Sequence, residues 1–204
     1  MNDLRGNITA IASDKTGSRV YALVGKQDSS GTDRIYLASY QAVGSDLVKA
    51  SEIVVSPAGQ RAALPSITVK DDGTVVMMYE TYSATDNNVH VHGAASDDFG
   101  ATILSDVEEY SFTPLPLSQV NPDGNREFGD YIFLISVGDE FFGTFPGLGN
   151  VNRAGINTTG LIDPFFFSGT DIIEPGSMSL LLAGLAGAMF VRRRPGLVRR
   201  STSS

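Results

Sequence analysis

The sequence predicts an all-β body followed by one C-terminal hydrophobic helix. The body, residues 1–168, reads as a partial β-propeller: an arc of about three four-stranded antiparallel blades, with a β-sandwich as the alternative. Three observations carry this expectation. The composition is turn-rich, with 22 Gly among 204 residues and 42% apolar residues. A strand–turn–strand pattern recurs three times. Near the end, 15 uncharged residues run straight into a triple Arg.

The first repeat is residues 11–24 (IASDKTGSRVYALV), the second 67–80 (ITVKDDGTVVMMYE) and the third 135–145 (ISVGDEFFGTF). Each places a short apolar strand before a turn containing Asp and Gly, and another apolar strand after it. Asp71-Asp72-Gly73 is the clearest hairpin signal, because Gly supplies the positive φ that a tight turn requires. A third strand is expected at 34–40, 88–96 and 151–156, and a fourth at 52–55, 109–112 and 164–167. The blades therefore span about 8–56, 64–113 and 129–168. Units of four antiparallel strands at this period are the sequence form of propeller blades. A sandwich would not repeat the strand–turn–strand unit. Three blades fall short of the usual four to eight of a closed ring.

Residues 169–176 read as a linker, 177–194 as the hydrophobic helix with its Arg cluster, and 195–204 as a disordered tail. The uncharged stretch 177–191 is short for a spanning helix, which takes about 20 residues. Arg192, Arg193 and Arg194 follow at once and orient that end toward the cytoplasm. A core helix is amphipathic and does not end in three Arg.

The charge is uneven. Five of the 15 basic residues lie at 192–194 and 199–200, leaving 10 in the body against all 23 acidic ones. Such a body repels phosphate backbones, so nucleic acid is not an expected partner. The acidity suits calcium or cationic partners, and suits solubility outside the cell better. No cofactor is specified. The chain has no Cys, so disulfides and thiolate metal sites do not arise. The first residues show no apolar leader, although the tail implies export; the expectation is that the reading frame lacks its true start.

Ser96, Asp98, Gly100 and Thr102 stand in the spacing S-x-D-x-G-x-T. Asp98 can accept hydrogen bonds from turn amides, and Gly100 can take a backbone conformation closed to other residues. Further on, Arg126, Asp130 and Tyr131 precede the third repeat. Arg126 could grip a carboxylate with both arms, and Tyr131 could act as a nucleophile beside an acid. A buried Arg–Asp pair with Tyr131 as packing is the stronger reading of that string. His90 and His92 share one side of a strand. Two His without a spaced third ligand are a weak zinc pattern, so a solvent-facing strand surface is expected. The Gly-rich stretch 146–150 precedes no helix and is no phosphate loop.

Two resemblances bear on function. The tail, with Glu174, Pro175 and Gly176 ahead of the apolar stretch and the Arg cluster, resembles the PEP-CTERM sorting signal. Ile173 stands where that signal has its first Pro. The resemblance implies export from a Gram-negative cell, a transient inner-membrane anchor through 177–191, and processing by an exosortase-type peptidase. It also implies a final place at the cell surface or outside, often beside extracellular polysaccharide. The Ser96–Thr102 spacing resembles the Asp box of sialidase-like propellers, where it is a structural turn away from the active face. Arg126 and the Gly-Asp-Tyr string resemble a lead into an innermost strand of that superfamily. A sialidase would need three Arg, a Tyr–Glu pair and an acid Asp, and the full set is not identifiable. The expected function is therefore a surface protein binding glycan or matrix, leaning away from catalysis. Its alternatives are a sialidase-type glycoside hydrolase whose N-terminal half is missing, and a truncated gene remnant.

Overall fold

In the computed structural model the described residues are 9–113, 132–149 and 161–170. They form eleven strands and, among the described residues, no helix: β1 (Thr9–Ser13), β2 (Arg19–Gln27), β3 (Asp33–Val43), β4 (Asp46–Val54), β5 (Arg61–Val69), β6 (Val75–Ser83), β7 (Asn88–Ser96), β8 (Ser105–Phe112), β9 (Phe133–Val137), β10 (Glu140–Gly149) and β11 (Leu161–Gly169). The strands pair antiparallel with their chain neighbours into three open sheets: β1-β2-β3-β4, β5-β6-β7-β8 and β9-β10-β11. The all-β class, the three repeats and the meander order follow the expectation.

The hairpins show why these segments turn. Between β5 and β6, Gly73 sits at φ 90°, and its amide donates to Lys70 O at 3.0 Å. That conformation costs Gly nothing and other residues about 1 kcal/mol or more. Between β1 and β2, Asp14 accepts from Arg19 N at 3.2 Å and from the Ser18 and Thr16 hydroxyls. The body's acid residues recur in this turn-closing role at Asp28, Asp72 and Asp86.

Packing follows the two-residue period of the strands. In the first sheet Tyr21, Leu23, Ile35 and Leu37 face the second sheet. There they meet Ile67, Val75, Met77 and Tyr79 in one buried cluster. The opposite face of the second sheet offers Val76, Met78, Val89 and Val91 to Leu134, Phe141 and Phe145 of the third. The second sheet is thus buried on both faces, and its central strand β6 carries a near-continuous apolar run instead of an alternation.

The first strands lie together: β1 against β5, and β5 against β9. Polar ties join the second sheet to the third where their first hairpins meet. The Ser136 hydroxyl donates to Val69 O at 2.7 Å, and Asp71 N donates to Gly138 O at 2.9 Å. The Lys70 ammonium donates to Thr170 O at 2.8 Å.

The third sheet departs from the expectation. The four-stranded unit with 151–156 as its third strand is corrected: β11 pairs directly with β10 from Gly169↔Phe141 to Leu161↔Gly149. With β9 on its other edge, β10 has no free side. Residues 164–167 therefore hold the third place. The three consecutive Phe at 165–167 make β11 a stronger strand than 151–156. The helix expected at 177–194 and the strand expected at 151–156 lie outside the described residues.

Candidate functional site

Three places carry chemistry-bearing or exposed recognition groups. The first is the turn after β7. Asp98 Oδ1 accepts from Ala101 N at 3.0 Å and Thr102 N at 2.9 Å, and Oδ2 accepts from the Thr102 hydroxyl at 2.6 Å. The Ser96 hydroxyl donates to Asp98 at 2.9 Å and accepts from Gly100 N at 3.1 Å. All four residues singled out by spacing thus meet in one turn. The Thr102 hydroxyl and amide, with the other donors, hold the Asp98 carboxyl down at about 2. Phe99 and Gly100 both adopt positive φ, 63° and 77°. The turn also reaches the first sheet: Ser51 Oγ donates to Gly100 O at 2.9 Å, and the Arg19 guanidinium lies 3.6 Å above the Phe99 ring. It is a clamp between two sheets.

The second place is the His pair of β7. His90 and His92 do share a side, as the strand period requires. The solvent-facing expectation is corrected: both are buried, on the face turned toward the first sheet. His92 Nδ1 lies 3.1 Å from Asp106 Oδ1, and its Nε2 lies 3.1 Å from the Thr81 hydroxyl. The Asp106 carboxylate accepts a hydrogen bond from Nδ1–H, and Nε2 faces Thr81. Tyr79 stacks on the His92 ring at 4.9 Å and donates its hydroxyl to the other oxygen of Asp106 at 2.9 Å. Burial, then the Asp106 charge, pushes the Tyr79 phenol far up, so it stays a donor. His90 Nδ1 lies 3.0 Å from Glu108, and its Nε2 sits 3.1 Å from Asp86 but off the hydrogen-bonding direction.

The order Asp106–His92–Thr81 matches that of an acid–base–hydroxyl relay. Its chemistry stops at access, because Thr81 is completely buried and its hydroxyl is shared with Gln60. A nucleophile needs an open approach for the reacting atom. The group is a hydrogen-bonded polar network locking β6, β7 and β8 together. Sequence reasoning missed it because Asp106 and Thr81 are far apart in the chain. The alternation of β8 was the only available signal. Among the described residues, no three His, Cys, Asp or Glu are arranged to hold a metal ion.

The third place is the outer face of the third sheet. Phe133, Ile135, Phe142 and Phe166 line an open groove of about 360 Å³, with Thr144 and Ser168 at its polar points. Phe166 is 79% exposed and Phe133 58%. Exposed aromatics of this density mark a recognition surface more often than a bare one.

Arg126, Asp130 and Tyr131, the sorting residues Glu174, Pro175 and Gly176, and the orienting Arg192, Arg193 and Arg194 lie outside the described residues. No family model matches the chain, and no curated protein matches it.

Proposed function

We propose that the chain is an exported bacterial surface protein whose β-propeller-type body binds glycan or matrix polymer and whose tail is a PEP-CTERM-like sorting signal. The single observation that carries the body's assignment is the Asp98 turn. Its spacing resembles the Asp box, and its oxygens accept the amides of that turn while the turn clamps neighbouring sheets. The fanning of three meander sheets from adjacent first strands supports the same reading. The tail's order of acidic-proline motif, apolar stretch and Arg cluster supports export. Possible partners are then a sorting peptidase, the inner membrane through 177–191, and extracellular polysaccharide.

Binding without hydrolysis has a direct test. The purified chain is run by affinity electrophoresis through gels containing exopolysaccharide from a Gram-negative biofilm, and the polymer is assayed afterwards for new reducing ends. Retardation without new ends is the expected result. New reducing ends would place the protein among glycoside hydrolases, and unchanged migration would remove the glycan-binding reading.

A further inference from the structure

The end faces of the three-sheet stack point to a partner, and the packing inside the chain says which one. Each sheet has two faces. One face of the second sheet receives the first sheet, through Ile67, Val75, Met77 and Tyr79. Its other face, through Val76, Met78, Val89 and Val91, receives the third. The same sense of packing therefore occurs twice in succession. It leaves the receiving face of the first sheet and the donating face of the third without a sheet upon them among the described residues.

The unused face of the third sheet is apolar, and that of the first mixes apolar side chains with the ion-paired row Lys26, Glu52 and Lys49. Ile11 in β1 is the repeat equivalent of Ile67 in β5. Ile67 is buried under the first sheet at 6% exposure, whereas Ile11 is 67% exposed. At the other end, the cross-strand pair Ile135↔Phe142 lies on the face of the third sheet turned away from the second, as Val76 lies on the face of the second turned away from the first. Val76 is buried, yet Phe142 and Ile135 are open, with Phe133, Val137 and Phe166 beside them.

We propose that the two end faces bind each other between two copies of this chain, the third sheet of one copy seating on the first sheet of its partner. The contact is head-to-tail, since the two surfaces differ. Such contacts close into a ring when the rotation allows it. Two arcs of three sheets make six, within the four to eight that closed rings of radial sheets contain. Area favours the same occupant. The three-stranded seating face, with strands of 5, 10 and 9 residues, covers on the order of 400 Å². Closure makes two contacts and buries both sides of each, which comes close to the roughly 1,600 Å² total of a stable interface. A second copy also supplies a sheet-shaped surface of the kind these side chains meet inside the chain. The inference rests on sheet packing alone and stands apart from what the body binds.

The absence of Cys makes the test clean. Ile11→Cys and Phe166→Cys are prepared as separate full-length variants, each checked for retained β-sheet circular dichroism. They are oxidised alone and as a mixture in the same mild detergent. The expected result is a disulfide-linked dimer in the mixture and none in either sample alone. The double variant should stop at dimer. Linkage in Phe166→Cys alone would show like faces meeting, and a ladder in the double variant would show an open filament; either overturns the proposal. Light scattering supplies an arm without engineered Cys: the wild-type chain should have dimer mass, and Phe166→Asp monomer mass. A wild-type monomer, or a dimer indifferent to Phe166→Asp, overturns it as well.

Discussion

Two carboxyls in the second sheet show opposite uses of one functional group. Asp98 spends its oxygens on the amides of its own turn, so truncation leaves those donors unmatched. Asp98→Ala should cost about 1–2 kcal/mol in denaturant unfolding, in the range of lost caps and turn bonds. Its folded-state carboxyl is held down to about 2, below its unfolded value. The contribution is therefore complete above the ordinary carboxylate range and fades as pH falls from about 4 toward 2. The wild-type chain should lose stability across that window more steeply than Asp98→Ala. Glu80 is the reverse case. It is fully buried on the face shared with Val91, neither oxygen has a partner among the described residues, and burial pushes its carboxyl up to about 8. Between the unfolded value near 4.5 and about 8 the folded state holds the extra proton. Stability therefore falls as pH rises through that window and levels above it. Glu80→Met keeps the volume and removes the desolvation cost. It should raise the thermal midpoint at pH 8 and flatten stability between pH 5 and 8, as followed by calorimetry. A lower midpoint would show that Glu80 has a stabilising partner.

At the scale of elements, the sheets are held by how closely neighbouring strands and faces approach. Gly143 in β10 lies under Phe167 of β11, and a Cβ there would come within 2.2 Å of the ring. Gly143→Val forces the ring or the strand aside. Overpacking of this kind costs about 1–3 kcal/mol. The loss should register locally, as faster amide exchange in β10 and β11 than in β5 to β8, because the second sheet keeps its own ladders. Uniform acceleration through all three sheets would instead show one cooperative unit. Gly143 reads in the sequence as an ordinary strand glycine, since the aromatic that crosses it arrives from another strand.

For the whole molecule, the proposed sorting tail would decide where the body ends up. As a helix at 1.5 Å per residue, the apolar stretch 177–191 would be roughly 22 Å long, against a hydrocarbon core of about 30 Å. Marginal insertion would suit the proposed transient anchor, which places the Arg cluster in the cytoplasm and the acidic body outside. The full-length gene, expressed in hosts with and without a sorting peptidase, should yield mature protein cut near Glu174-Pro175 only in the competent host. Mass spectrometry of the C-terminus reads this directly. An exported protein still ending at Ser204 in that host would make the tail a plain anchor.

The sequence by itself determined the all-β class, the three repeats, their hairpins and the Asp98 turn. Each of these is set within a few residues: by strand alternation, by Gly at positive φ, and by an Asp reaching amides three and four positions away. The tail's export reading likewise rests on contiguous residues. Tertiary structure decided what depends on residues distant in the chain. His90 and His92 alternate like surface residues, yet the first sheet covers them, with Asp106 and Thr81 partnering His92 and Glu108 partnering His90. Residues 151–156 and 164–167 compete for one edge of β10, and only pairing selects the triple-Phe segment. An apolar run shows that a strand has two dry faces, but not which neighbour dries each one. That depends on the order in which sheets stack, and stacking joins residues through space that the chain itself separates.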